Sequence, residues 1–255
     1  MTTAVWAAED YRVNRPAIPP QVAQIAVGMV ARRRLAVDVG CGTGQMALAI
    51  APYFARVMGV DADRRMIKEA DLAAALAGSK NTVFTVSSAP ELTGVPARCD
   101  LVTFSRSFHW MDRAATLAKV RQILDPAGSV AIVGDGSLWN GTAPWQISLK
   151  TLLQKHLGEE RRVAGGGVYR HPKTSHEEEL SRSGFTLVAR ERFEHERSWT
   201  VARVLGYLRS TSYGNPALFE DYSSFRRDAE QLLAAKPELK ERAAFNILVA
   251  QKAGI

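Results

Sequence analysis

Two acidic residues and three glycines are the groups in this chain whose types and spacing could do chemistry. Asp38 precedes Gly40, Gly42 and Gly44 in the run Val37-Asp38-Val39-Gly40-Cys41-Gly42-Thr43-Gly44, and Asp61 ends the run Val57-Met58-Gly59-Val60-Asp61. Closely spaced glycines let a backbone pass very near a ligand. An acidic residue about twenty positions beyond such a turn can accept hydrogen bonds from both hydroxyls of a ribose, and Asp61 stands twenty-one residues after Gly40. The spacing is Gly-x-Gly-x-Gly, shorter than the Gly-x-Gly-x-x-Gly that seats a pyrophosphate. A carboxylate two residues ahead of the first glycine repels a phosphate and attracts an ammonium. The group that fits is a cationic nucleoside without phosphate. A glycine turn with no ligand is the plainer alternative, and the position of Asp61 counts against it.

These residues need elements to hold them. Leu35–Val39 is an apolar run broken only by Asp38, as expected of a parallel strand buried on both faces whose carboxylate lies near its exposed carboxyl end. Thr43 to Tyr53 can continue as a helix whose free amides face the same crevice. Ala55 to Val60 reads as the next strand. A helix from Ala62 then runs to the stop at Gly78, a strand covers Thr82–Val86, and Asp100–Ser105 is a fourth strand. A helix capped by Asp112 continues to Leu124, and Ser129–Gly134 is a fifth strand. Strands and helices thus alternate from Leu35 to Gly134, the pattern of a parallel sheet with helices on both faces.

The flanks differ from this core. Tyr11 to Pro20 is expected to be extended because of its prolines, and Gln21 to Ala31 to be a helix. Beyond Gly134 the expected pieces are a helix near Ile147–Leu157, a mobile turn at Gly165-Gly166-Gly167 and a helix at Glu177–Gly184. A sixth strand at Phe185–Phe193, helices at Thr200–Ser210 and Ala217–Ala235, and a seventh strand at Ala244–Gln251 complete the chain.

The motif Val37 to Gly44, with Asp61 beyond it, resembles motif I of the class I S-adenosylmethionine-dependent methyltransferases, of the small-molecule, type 11-like kind. The resemblance implies a Rossmann-like α/β fold: a seven-stranded, mostly parallel sheet with helices on both faces and a helical cap inserted late. It implies a single domain over residues 1–255, with an N-terminal arm and helix (1–34), a cofactor-binding core (35–134), a substrate cap with the sixth strand (135–243) and a last strand (244–255). Its cofactor is S-adenosyl-L-methionine, which carries an ammonium and a sulfonium. The residues it implicates are Asp38, Gly40, Gly42, Gly44, Asp61, Ala62, Met66, Ser88, Ala89 and Ser105. Met66 stands where the family packs a methionine against adenine, a sound thioether–ring contact. Ser88 departs from the family's usual Asp, although a hydroxyl can still accept a bond from the adenine amino group. The carbonyl of Ser105 is the candidate partner for the cofactor's amino group. Tyr11-Arg12-Val13-Asn14-Arg15-Pro16 resembles the Tyr-x-x-x-Arg-Pro lead-in of such enzymes, which closes over the cofactor.

Phe108-His109-Trp110, just past the fourth strand, resembles a subset of these enzymes with a His-Trp pair. His109 is the candidate general base if the acceptor is a hydroxyl, since neutral imidazole suits that task near pH 7. Its alternative is a structural helix start. Trp110, Trp139, Trp145, Tyr169 and His171 are candidates to line an acceptor site, with ordinary packing as their alternative. No metal site is expected, because His-Cys clusters and carboxylates at ligand spacing are missing after the fourth and fifth strands.

Composition narrows the partners. Among 255 residues, 33 Lys and Arg against 26 Asp and Glu give a net charge of +7, which permits nucleic acid as a partner without demanding it. The basic residues are not interleaved with aromatics, and Phe104-Ser105-Arg106-Ser107 replaces the Asn/Asp-Pro-Pro-Tyr/Phe signature of base N-methyltransferases. The resemblance then implies methyl transfer to a small molecule. The alternatives are an RNA methyltransferase and a cofactor-binding protein of the same fold that does not methylate. No membrane span is expected, and two cysteines, Cys41 and Cys99, fit a reducing, cytoplasmic setting.

Overall fold

A computed structural model describes residues 7–170 and 172–253. Strands β1 (Leu35–Val39), β2 (Arg56–Asp61), β3 (Thr82–Val86), β4 (Cys99–Ser105), β5 (Leu124–Asp135), β6 (Phe185–Ser198) and β7 (Lys240–Lys252) form one sheet in the order β3-β2-β1-β4-β5-β7-β6. The pairs β1–β2, β1–β4, β2–β3 and β4–β5 are parallel, and β7 runs antiparallel to β5. From β1 the chain winds outward through β2 and β3, then returns to β4 on the other side of β1. Such a reversal opens a crevice outside the carboxyl ends of the strands.

The helices are α1 (Ala8–Asn14), α2 (Pro20–Gly28), α3 (Gln45–Ile50), α4 (Arg64–Leu76), α5 (Arg113–Ile123), α6 (Pro144–Leu157), α7 (His176–Arg182), α8 (Val201–Arg209) and α9 (Tyr222–Ala234). The chain divides into two compact units. One holds the sheet core and comprises Ala17–Asp135, Pro172–Phe193 and Phe245–Ile255; the other comprises Met1–Pro16, Gly136–His171 and Glu194–Ala244.

In the sheet unit, alternation along each strand supplies two apolar layers. Ala36, Val57, Leu101 and Ala131 pack with Val22 and Ala26 of α2 and with Met46 and Ile50 of α3. Val37, Val39, Val102 and Val130 pack with Leu117, Val120 and Ile123 of α5 and with Leu180 of α7. Fully burying each larger aliphatic side chain contributes about 1.5–3 kcal/mol, so these layers hold the strand ends in fixed register. The other unit has a core of its own, built from Leu149 and Leu153 of α6, Val204 and Leu208 of α8, and Phe225, Ala229 and Leu233 of α9.

Several boundaries differ from the sequence expectation. The stretch expected to be extended from Tyr11 is helical through Asn14 and extended only from Arg15, whose φ and ψ are −70° and 132°. Proline restricts itself and its predecessor, so Pro16 constrains Arg15 and leaves the preceding turns free to form α1. The helix expected from Thr43 starts at Gln45, because Gly44 takes a left-handed conformation, and it tightens to a 3₁₀ turn at Ala51–Tyr53 around Pro52. Strand β5 begins at Leu124, through Pro126 and Gly128, with an irregular register against β4.

Candidate functional site

Loops after β1, β2 and β3 are tied to one another by backbone bonds. The amides of Gly40 and Cys41 both donate to the carbonyl of Val60, at 2.8 and 3.0 Å, and the amide of Ser87 donates to the carbonyl of Asp61 at 3.0 Å. The Asp61 carboxylate accepts from the amide of Gly42 through Oδ2 and from the amide of Asp63 through Oδ1, each at 2.9 Å. One acidic side chain therefore fixes the glycine turn and the start of the β2–α4 connection together. Burial raises the pKa of Asp61 while the amides of Asp63 and Gly42 pull it back.

Glycine is required at Gly40 and Gly44 for two reasons. Their φ angles are +67° and +81°, a region that other L residues enter only at a cost. A Cβ at Gly40 would also lie 2.6 Å from both Met111 Cε and Ser107 Cβ, and one at Gly44 would lie 2.9 Å from the ring of Phe84. Gly42 shares the left-handed conformation at +53°.

Asp38 is fully buried at the end of β1. Its Oδ1 accepts a 2.7 Å bond from the Thr103 hydroxyl, whereas its Oδ2 has no partner within hydrogen-bond geometry. Burial pushes its pKa up to about 7; the Thr103 hydroxyl and the nearby Ala47 amide oppose the rise, and the charge of Asp61 adds to it. The hydroxyl of Thr43, inside the glycine turn, is likewise buried without a partner. Buried polar atoms are nearly always satisfied, so two unsatisfied oxygens beside one glycine turn mark a place that suits a polar, donor-bearing ligand. S-adenosylmethionine fits on these terms: an ammonium for the carboxylate of Asp38 and ribose hydroxyls for that of Asp61. The sequence had not singled out Thr43.

The remaining candidates distribute as follows. Ala62 follows Asp61 at the surface, and Met66 is buried in the first turn of α4, behind the Asp63 cap. Ser88 and Ala89 are half-buried after β3, where the Ser88 carbonyl accepts from the amides of Glu91 and Leu92. Ser105 ends β4, half-buried. His109 and Trp110 lie in a 3₁₀ turn, Phe108–Trp110, with ring centroids 5.1 Å apart; His109 is half-buried and Trp110 exposed. Trp139, Trp145 and Tyr169 belong to the other unit, and His171 lies outside the described residues. Trp145 is buried in that unit's core, and its indole Nε1 donates to the carbonyl of Lys240 at 2.7 Å. Tyr11 and Arg15 are also in that unit, where the Arg15 guanidinium lies over the rings of Tyr11 and Tyr207 and donates to the carbonyl of Ser210.

Arg106 is a residue that the sequence did not single out. It follows β4 with φ +59°, and its almost buried guanidinium pairs with Asp135 at the end of β5 through bonds of 3.0 and 2.7 Å. It also donates to the Gln45 side chain at 2.8 Å. Gln45 is the first residue of α3, so Arg106 links the end of β4 to the helix that follows the glycine turn. Only a charge set between two serines, just past an apolar strand, hinted at it.

Comparison with known proteins bears on the same region. Residues 36–128 match a family model described as a methyltransferase domain. An uncharacterized methyltransferase of Mycobacterium tuberculosis is 28% identical over 90% of this chain and 84% of its own. The ubiquinone biosynthesis O-methyltransferase of Leptothrix cholodnii is 35% identical over 36% of this chain and 40% of its own. A putative type II methyltransferase from Anaeromyxobacter dehalogenans has the same fold, with a TM-score of 0.65, 22% identity, and coverage of 93% of this chain and 97% of that one. Among the described residues, no helix is long and apolar enough to cross a membrane. The matched segment contains the glycine turn, both carboxylates and the 3₁₀ turn of His109, and relatives extend the likeness over most of the chain; together these findings support a class I S-adenosylmethionine-dependent methyltransferase.

Proposed function

We propose that the chain transfers the methyl group of S-adenosylmethionine to a small-molecule acceptor. The observation that carries the cofactor half is the unsatisfied buried oxygen of Asp38 beside a glycine turn pinned by Asp61. In this reading Asp38 attracts the ammonium, Asp61 accepts from the ribose hydroxyls, and Gly40, Gly42 and Gly44 keep the backbone low enough for close approach. Ala62, Met66, Ser88 and Ala89 surround the adenine, and the Ser105 carbonyl accepts from the amino group. When bound, the cofactor supplies a methyl already activated by the positive sulfur.

The protein has then mainly to align the acceptor and exclude water, and orientation alone can lower a barrier by about 7–11 kcal/mol. His109, in the turn after β4, takes the acceptor's proton on an imidazole nitrogen where the acceptor is a hydroxyl. Trp110, in the same turn, gives the acceptor aromatic surface. A small acceptor is supported by the aromatic makeup of the second unit and by the partial likeness to an enzyme of ubiquinone biosynthesis. The cytoplasm is the setting that fits this reading and the two free thiols.

Turnover of methyl-labelled S-adenosylmethionine with a panel of phenols, amines and carboxylic acids tests the proposal. Label appearing in an organic product supports it. Label appearing only in RNA, or cofactor binding without any transfer, would transfer the assignment to one of the two alternatives.

A further inference from the structure

Among the described residues, the second unit contains a cation with no ionic partner. Arg161 is half-buried, its Nε is buried without an acceptor, and no acidic side chain among the described residues pairs with it. Its guanidinium carbon instead lies 4.4 Å from the ring centroid of Tyr169 and 4.7 Å from that of Tyr213.

The arrangement is built by the fold. Gly165, Gly166 and Gly167 have φ angles of +95°, +100° and +92°, which turn the chain so that Arg162 pairs with Val168 and the amide of Tyr169 donates to the carbonyl of Arg161 at 2.8 Å. The amide of Ala164 donates to the carbonyl of Ser212 at 2.8 Å, which ties this hairpin to the segment carrying Tyr213. A second cation ends the same aromatic series: Tyr213 meets Trp139 edge-on at 5.5 Å, and Lys150 Nζ lies 5.5 Å from the Trp139 ring.

A half-buried guanidinium without a counter-charge leaves its buried Nε donor unmet, an arrangement that folded proteins seldom keep. A protein that needed only packing there would be served as well by an apolar side chain. Aromatic contact keeps the guanidinium oriented, with its N–H bonds directed in its own plane, where a planar carboxylate accepts two of them in parallel. We propose that Arg161 binds the carboxylate of a small organic acid on the second unit, that Lys150 adds to the field, and that Tyr169, half-buried beside Arg161, favours an acid with an unsaturated or aromatic body, while the buried Tyr213 and Trp139 back the arrangement.

The test uses the full chain loaded with S-adenosylhomocysteine, and titrates it by calorimetry and saturation-transfer NMR with matched pairs: cinnamate against cinnamamide, 4-phenylbutyrate against its amide, and phenyl phosphate. The acids are expected to bind at least tenfold more tightly than the amides and no more weakly than phenyl phosphate. Arg161→Gln is expected to abolish that gap, and Arg161→Lys, which keeps the charge, to retain part of it. The proposal is overturned if acids and amides bind alike, if neither binds, if phenyl phosphate is preferred, or if the gap survives in Arg161→Gln. Binding of S-adenosylhomocysteine is measured in each variant beforehand. Its loss in the wild-type protein would count against the cofactor reading, whereas loss of the acid preference alone counts only against Arg161.

Discussion

The carboxylate of Asp61 accepts the amide of Gly42 at 2.9 Å, so the residue proposed to hold the ribose also sets the shape of the glycine turn. Asp61→Ala removes ligand bonds and turn bonds together. With a charged acceptor contributing about 1.5–3 kcal/mol, affinity for S-adenosylhomocysteine is expected to fall by about tenfold to a hundredfold. Asp61→Asn, which keeps one accepting oxygen, should fall between. Calorimetric titration of the three proteins checks the order.

Asp38 makes the cofactor affinity depend on pH. Its pKa in the folded protein is about 7, against an ordinary value of 3.8, because burial penalises its charge. Its protonation therefore favours the folded state: that contribution is complete below the unfolded value and is lost as pH rises through about 7. A cationic ligand favours the ionised form, so affinity should weaken on lowering pH below 7, approaching tenfold per unit. Stability of the ligand-free protein should move the opposite way over the same window. Asp38→Asn removes both dependences, and paired binding and urea-unfolding series from pH 5 to 8 would reveal them.

Gly40→Ala adds a methyl where Met111 and Ser107 already stand 2.6 Å away, on a backbone with φ +67°. The left-handed conformation costs about 1–2 kcal/mol and overpacking about 1–3 kcal/mol. The midpoint of urea unfolding should drop accordingly, with cofactor binding lost. Gly78→Ala, at a helix end with open space around it, incurs only the backbone part and serves as the control.

His109→Ala should leave cofactor affinity unchanged and slow methyl transfer by about a hundredfold to ten-thousandfold if the imidazole takes the acceptor's proton. Single-turnover rates with a hydroxyl acceptor, compared across pH, separate that role from a structural one: unaltered rates would return His109 to the helix start.

Arg106→Ala strands the nearly buried carboxylate of Asp135. Breaking such a pair by removing one partner costs about 3–5 kcal/mol. Asp135→Asn in the same chain should recover part of the loss, as a double-mutant cycle in urea would register.

The parts of this molecule that were legible in the sequence are those whose signals are local. The apolar run with one acid gave β1 with its bounds, Leu35–Val39, and the β-branched run gave β3, Thr82–Val86. The glycine turn was legible because only glycine tolerates its φ angles and its neighbours. Arg106 was not, since its partners Gln45 and Asp135 lie 61 and 29 residues away and become neighbours only when β4 and β5 align. Arg161 was obscure for a related reason: its meaning depends on the absence of a counter-charge, which three-dimensional packing decides. Packing was one of the two readings open for Trp145, but its hydrogen-bond partner Lys240 was not legible, being 95 positions further on.

Isothermal titration of the purified protein with S-adenosylhomocysteine, beside the double variant Asp38→Ala, Asp61→Ala, addresses the central claim most directly. One site per chain in the wild type, with heat abolished in the variant, is the result the cradle between β1 and β2 predicts. No heat in the wild type, or equal affinity in both proteins, would contradict it.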